Sequence, residues 1–367
     1  MTLGKHFVLR TCLILTAAMI FAASYVSTSQ ACTRALYVGN SDLVITGRSM
    51  DWPESMDSEL WLFPRGMDRD GAAGPESVTW TSKYGSLIVS IYDSGSVDGM
   101  NEKGLVMNGL YLVESDYGPP DNRPTITILA LGQYILDNFG SVAEAVEEMQ
   151  SDSIRVIAPT LPNGMGAQAH VSLSDPTGDS AIMEYIDGEL VIHHSKDYKV
   201  MTNSPSYDQQ LAIKKYWEGV DPLTFLPGSV RAADRFVRVS YLINNISKKP
   251  DKNTMSAVPE GTFENQAVAS VLSVIRALGK PLSMTSPSKP DLSSSLWRTV
   301  WNQKDKVLFF DFATRPSIFW VPFSELDFSA DAEVKKLPMT GGQMYAGNAA
   351  GKFEPAASFE FMPAQTK

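Results

Sequence analysis

Cys32 is the residue around which chemistry can be assembled. It follows Ser29-Gln30-Ala31, a small-x-small pattern, which follows an apolar stretch from Cys12 to Tyr25 and a positive start carrying Lys5 and Arg10. Together these spell a secretory signal peptide over residues 1–31. The apolar stretch is too short to span a bilayer. Cleavage after Ala31 discards Cys12, so Cys32 becomes both the first residue and the only cysteine. A terminal cysteine carries a thiol titrating near ~8.5 and an α-amine titrating near ~7.7–8.0. The amine can therefore take the thiol proton near neutral pH without a histidine, which is the logic of an N-terminal nucleophile. Two other fates stay open from the leader alone. An exported terminal cysteine can carry a lipid, giving a lipid-anchored periplasmic protein with no enzymatic role; Ala31 suits that signal, whereas Ser29 and Gln30 do not. Alternatively, cleavage lies elsewhere and the cysteine is incidental.

The residues that follow could assist a nucleophile. Strand-like runs over 33–39 and 43–50 flank the turn cluster Gly39-Asn40-Ser41-Asp42. Pairing Gly39 with Asp42 sets Cys32 opposite Ser49, one residue from Arg48, and a one-residue change in the loop sets it opposite Arg48 itself. A guanidinium there favours the thiolate over the thiol. Asp51 stands at an odd offset from Arg48, so an ideal strand aims it at the opposite face. The Trp52-Pro53 break offers a way for Asp51 to pass the strand end and turn inward. The plainer alternative is a surface Arg48–Asp51 pair of little energetic weight.

Composition removes several function classes. The 367-residue chain has a formal charge of −10 and no Lys/Arg block, which argues against a nucleic-acid partner. Two cysteines exclude a disulfide scaffold and a multi-thiolate metal site. His193 and His194 are neighbours on a strand and point to opposite faces, and His170 stands apart, so no histidine metal site and no cofactor are expected. Gly164-Met165-Gly166-Ala167-Gln168-Ala169 approaches a dinucleotide fingerprint but lacks the strand before it and the helix after it. Ser286-Pro287-Ser288-Lys289 has the S-x-x-K spelling, yet it lies in a Pro/Ser-rich loop with no K-T-G elsewhere, and no G-x-S-x-G is present. No stretch after the leader is long and apolar enough to span a membrane.

The elements that must position these residues come in blocks. Further strands are expected over 60–63, 78–82, 86–92 and 105–112, then helices over 126–138 and 141–150. Strands return over 167–174, 180–186, 190–194 and 199–202, helices over 207–218, 230–246 and 262–278, and strands over 296–301, 306–312 and 317–321. This is not the alternation of a parallel doubly wound sheet; it suits an α+β fold of two antiparallel sheets with segregated helices. In the fourth helix, Ala232, Phe236, Val239 and Ile243 form a core stripe, while Arg231, Arg235 and Arg238 read as a solvated one. Residues after about 335 are Gly/Ala/Pro-rich and read as an extended tail. The organisation is thus a leader over 1–31, a main domain over 32–335 and a tail over 336–367.

Cys32 after a leader, Gly47-Arg48-Ser49-Met50-Asp51-Trp52, Asn101-Glu102-Lys103-Gly104-Leu105, the Asp175 to Glu184 region, Thr202-Asn203-Ser204-Pro205, and Leu226-Pro227-Gly228 before Arg235-Phe236-Val237-Arg238 occur in an ordered series. In that order they resemble the choloylglycine hydrolase family of N-terminal nucleophile hydrolases, which includes penicillin V acylases and bile salt hydrolases. The resemblance implies a four-layer αββα sandwich, a small-molecule amide substrate, and possible assembly as a homotetramer. It assigns the nucleophile to Cys32, the flanking arginine and aspartate to Arg48 and Asp51, and the aspartate's hold on the α-amine to Asp51. It assigns one oxyanion-hole donor to Asn203, a second to the strand holding Tyr111, and a final arginine to Arg235. Taken alone, Asn203 reads as a turn residue before Pro205. Trp52 and Tyr111 would suit an aryl or acyl chain. Exported members of the family favour penicillin V and acyl-homoserine lactones, with conjugated bile salts as the alternative substrate, and the exported location implied here is the periplasm or the exterior.

Overall fold

The computed structural model describes residues 32–285 and 293–364. The expected leader over 1–31 and the Ser286-Pro287-Ser288-Lys289 stretch lie outside the described residues. In chain order the main elements are β1 (Thr33–Val38), β2 (Val44–Trp52), β3 (Leu60–Phe63), β4 (Ser86–Ile91), β5 (Gly95–Asn101), β6 (Val106–Tyr111), α1 (Ile128–Asn138) and α2 (Val142–Gln150). Then come β7 (Ala169–Ser174), β8 (Ser180–Ile186), β9 (Glu189–His194), β10 (Val200–Thr202), α3 (Tyr207–Trp217), α4 (Ala232–Asn245) and α5 (Phe263–Ala277). The chain closes with β11 (Ser294–Asn302), β12 (Val307–Phe312), β13 (Ile318–Pro322), β14 (Lys335–Leu337), β15 (Gly347–Asn348) and β16 (Glu354–Pro355).

Two large sheets result. One runs β10-β1-β2-β11-β12-β13-β15 and the other β9-β8-β7-β6-β5-β4-β3-β14-β16. Their pairings are antiparallel except for the short parallel contact of β13 with β15. Helices α4 and α5 pack on β1 and β2, and α1 packs on β5 and β6, so the expected αββα sandwich is what forms. The strands of the first sheet alternate between a helix-facing side and a side facing the second sheet. Every residue of β2 is buried because both of its faces are covered.

The facing sheets are joined by polar contacts as well as by packing. Thr46 on β2 meets the Ser174 hydroxyl at 2.8 Å and donates to Gln303 Oε1 at 2.8 Å. Asp98 on β5 is fully buried and accepts from Asn108 Nδ2 (2.7 Å), Trp301 Nε1 (2.9 Å) and the Thr299 hydroxyl. Such a carboxylate is tolerable in a core only because its donors replace water. β5 is also the strand that the sequence hid. Gly95-Ser96-Val97-Asp98-Gly99-Met100-Asn101 has no apolar alternation, and its glycines and aspartate argue against a strand.

The helix stripes divide differently from the expectation. Ala232, Phe236, Val239 and Ile243 are core, but Arg235 is fully buried rather than solvated. The segment after 335 is extended, yet it is built into the sandwich. β14 and β16 extend the second sheet beyond β3, β15 joins the first, and buried Glu59 accepts from the Met339 and Thr340 backbone N–H groups. The boundary expected at 335 therefore falls inside a strand.

Gly47 lies where β2 meets α5. A Cβ there would stand 2.7 Å from Ile275 Cγ1 and 2.8 Å from Val271 Cγ1. Overpacking of this kind costs about 1–3 kcal/mol. Gly47→Val should lower the unfolding free energy by that amount, read as a lower urea midpoint with an unchanged slope of the transition.

Candidate active site

The first hairpin sets the site, one residue away from the simplest arithmetic. Gly39 closes on Leu43, its N–H donating to the Leu43 carbonyl at 2.8 Å, and the turn Asn40-Ser41-Asp42 holds Ser41 and Asp42 at φ of 60° and 56°. Thr33 thus pairs with Ser49 and Arg34 with Arg48. Extended by one residue, this register puts Cys32 across from Met50, not from Ser49 or Arg48. Arg48 still acts on the sulfur through its charge, and it shares a face of β2 with Met50. Cys32 Sγ and Arg48 Nη2 lie 3.7 and 3.6 Å from the Met50 thioether.

Arg48 is buried between the sheets. Its Nη2 donates to the Gly109 carbonyl at 3.0 Å, and the guanidinium carbon lies 4.5 Å from the centre of the Trp297 ring. Its Nε and Nη1 have no hydrogen-bond partner among the described residues. Burial pushes the Cys32 thiol above its ordinary range; Arg48 pulls it down, Asp51 pushes it up, and the Asp51 N–H (3.4 Å from Sγ) and Arg235 pull it down again. Burial prevails, so the net shift of the thiol is upward and Arg48 alone does not bring it below its ordinary range.

Asp51 does not pass the strand end. It remains within β2, and its side chain points to the helix side, away from Arg48. The surface pair suggested for Arg48 and Asp51 therefore does not exist. The partner of Asp51 is Arg235 of α4, with Nη1 3.7 Å from Asp51 Oδ2 and both side chains fully buried. Arg235 Nη1 also donates to the Cys32 carbonyl at 3.0 Å and to the Thr33 hydroxyl. The other Asp51 oxygen, Oδ1, accepts from the Ser295 hydroxyl at 2.6 Å, while Oδ2 accepts no hydrogen bond.

On the other side of β1, Thr33 pairs with Thr202 of β10, which carries Asn203 to the level of Cys32. The Asn203 amide donates to the Tyr111 carbonyl, and Gln210 of α3 donates to the Asn203 carbonyl. Tyr111, at the end of β6, turns its hydroxyl to Gln168 Oε1 at 2.9 Å. Its ring meets the Trp52 ring edge-on, with centroids 5.6 Å apart. Trp52 donates from Nε1 to the Tyr92 hydroxyl at 3.1 Å. Above Cys32 and Arg48 opens a cleft whose walls include Met50, Trp52, Met56, Tyr111, Ile128 and Leu129. The structure thus brings Cys32, Arg48, Trp52 and Tyr111 into one cleft and sets Asp51 and Arg235 behind the Cys32 backbone. Met50, Gln168 and Ser295 escaped the sequence reading. Gln168 lay in the Gly-rich run dismissed as a nucleotide motif, and Met50 sat in plain view between Arg48 and Asp51.

The model of linear amide C–N hydrolases of the choloylglycine hydrolase family matches residues 32–335. The chain belongs to this family. Penicillin V acylase of Pectobacterium atrosepticum is 42% identical over 349 residues, which cover 91% of this chain and 92% of that one. A bile salt hydrolase/transferase of Clostridium perfringens is 28% identical over 254 residues, covering 62% and 76%. The structure of penicillin V acylase from Agrobacterium tumefaciens matches with a TM-score of 0.82 at 45% identity, over 90% of this chain and 100% of that chain. A mutant conjugated bile acid hydrolase from Clostridium perfringens, at 20% identity and a TM-score of 0.69 over 86% and 98%, shares the fold. This choloylglycine hydrolase family member is accordingly a hydrolase of linear amide C–N bonds.

Loss of Arg48 removes the strongest pull toward the thiolate, so the Cys32 pKa rises further. Arg48→Ala should therefore slow alkylation of Cys32 by iodoacetamide at pH 7.5, by roughly tenfold for each unit of rise. The midpoint of the rate–pH curve should move to higher pH. Asn203→Ala should leave both unchanged.

Proposed function

We propose that the chain is exported, is cleaved after Ala31, and acts as a cysteine N-terminal nucleophile on penicillin V, on acyl-homoserine lactones, or on both. The observation that carries this reading is the Cys32 thiol at the floor of an apolar cleft, with Arg48 on the cleft side and Asp51 and Arg235 on the other. The start of the family match at Cys32 supports it. So does the upward shift of the thiol, because such a sulfur needs a base, and among the described residues no histidine lines the cleft.

In this reading the α-amine of Cys32 takes the thiol proton as sulfur attacks the amide carbonyl carbon. Asp51 Oδ2, buried and unbonded, is available to hold the amine. Arg235 fixes the Cys32 carbonyl, so the amine and the sulfur turn on a clamped residue. The Asn203 amide has one N–H spent on the Tyr111 carbonyl and a second available for the oxyanion. The Tyr111 hydroxyl is engaged with Gln168, so the part of Tyr111 is to hold Asn203 through its carbonyl and, with Trp52, to wall the acyl group. The α-ammonium returns its proton to the leaving amine as the C–N bond breaks. Water, deprotonated by the freed amine, then cleaves the thioester and restores the thiol. Conjugated bile salt hydrolysis is the second reading; the weaker identity to the bile salt enzyme ranks it lower.

Intact mass of the exported protein should correspond to a chain starting at Cys32 with no adduct. A diacylglycerol adduct, or another first residue, overturns the mechanism. In a panel of penicillin V, a long-chain acyl-homoserine lactone and a glycine-conjugated bile salt, the first two should give the higher kcat/KM; preference for the bile salt favours the second reading. Cys32→Ser should lose at least ~10³-fold in kcat and keep its Tm, since serine is a far weaker acid. Asn203→Ala should lose ~10²–10³-fold in kcat.

A further inference from the structure

Asp51 can serve an amine at the head of the chain only if one of its oxygens is kept facing it, and the structure contains a device that does this. We propose that Ser295 is the positioning residue for Asp51, pinning Oδ1 so that Oδ2 is presented to the α-amine of Cys32. The inference rests on the N-terminal-nucleophile reading above and adds to it a residue outside every motif that the sequence offered.

Three observations carry it. The first is a bulge in β11. Trp297 pairs with Met50 and Ser295 pairs with Asp51, so Leu296 is an extra residue opposite nothing. Had β11 kept the register it holds from Trp297 to Asn302, Leu296 would stand across from Asp51. The bulge removes an apolar side chain from that place and supplies a hydroxyl instead, a known use of bulges beside functional sites.

The second is the direction of the hydrogen bond. The Lys280 N–H donates to Ser295 Oγ at 2.8 Å, and the Ser295 N–H donates to the Lys280 carbonyl at 3.2 Å. With its oxygen accepting from Lys280, the Ser295 hydroxyl sends its own proton to Asp51 Oδ1, 2.6 Å away. The clamp depends on close approach where the chain leaves α5, because a Cβ on Gly279 would stand 3.3 Å from Ser295 Oγ and 2.5 Å from Arg298 Nη2.

The third is what remains of the carboxylate. Oδ2 is buried and accepts no hydrogen bond, and its nearest charge is Arg235 Nη1 at 3.7 Å. That same nitrogen bonds the Cys32 carbonyl. The free oxygen is therefore held beside the Cys32 backbone, where a terminal amine begins. A carboxylate pinned at one oxygen cannot rotate the other away, and fixed orientation of this kind is worth orders of magnitude in rate.

The test uses the mature enzyme and the double-mutant cycle of Ser295→Ala with Asp51→Asn. Ser295→Ala should lower kcat by about 10–100-fold, with KM within twofold and the Tm little changed. In the Asp51→Asn background the same substitution should cost nothing further, because Ser295 acts through Asp51. Ser295→Cys, which keeps the volume but donates weakly, should fall between parent and alanine variant, and it serves as the test if the alanine variant does not fold. Parent-like kcat in either variant, or losses that multiply in the double mutant, overturns the proposal. Cys32→Ser is assayed alongside. If that variant keeps its turnover, the nucleophile reading itself fails; if it is inactive while the Ser295 variants behave as the parent, only the role of Ser295 falls.

Discussion

Arg235 buries a positive charge between α4 and the first strand, and the geometry of the site hangs on it. One of its nitrogens reaches the Cys32 carbonyl, the Thr33 hydroxyl and the vicinity of Asp51. Burial depresses the pKa of the guanidinium, and Asp51 and Cys32 pull it back up. A charge in this position is costly to desolvate and more costly to leave alone, since removing one partner of such a pair strands the other. The pair therefore fixes α4 against β1 as well as fixing Cys32. Arg48 has no equivalent partner; a carbonyl, an aromatic face and a thioether share its charge. The first guanidinium serves anchorage, and the second lines the cleft with two of its nitrogens unpaired among the described residues.

Both arrangements depend on β2 being a central strand covered on two sides. Its alternation sends Arg48, Met50 and Trp52 toward the second sheet and Gly47, Ser49 and Asp51 toward the helices. A single strand thus supplies the cleft floor and the groups behind it. The second sheet completes the cleft from β5 and β6, held to the first by Asp98, Thr299 and Trp301. Burial raises the Asp98 carboxyl while Arg48 and its three donors lower it. The polar layer between the sheets is therefore coupled to the guanidinium that tunes the sulfur.

Much of this was legible in the sequence, for reasons that can be named. The helices and most strands followed from periodicity, and the order of blocks excluded a parallel sheet. The ordered motifs from Cys32 to Arg238 gave the family and with it the layers. The hairpin register slipped by one because two consecutive non-glycine residues adopt positive φ at its tip, which residue types alone do not announce. β5 was missed because its aspartate and glycines earn their places through contacts made only in the tertiary structure. The helix stripe alone set Arg235 on a solvated face and only the resemblance set it at the site, because a stripe shows which face a residue takes, but not that a long side chain reaches a carbonyl of the neighbouring strand. The bulge at Leu296 depends on pairing between strands distant in the chain, so no local pattern could reveal it.

That distance has a consequence for how the protein comes into being. Ser295 and Asp51 are 244 residues apart in sequence, and β11 is inserted between β2 and β12 at the heart of the first sheet. Until the last fifth of the chain has been synthesised, β2 has an open edge, and the edge strands β14, β15 and β16 come later still. Sheets closed by such long-range pairings form slowly, and an unfinished chain offers unpaired edges to its neighbours. The surroundings of Cys32 are therefore completed late: Ser295, which meets Asp51, arrives only with β11, although every motif that first pointed to the site lies ahead of that strand.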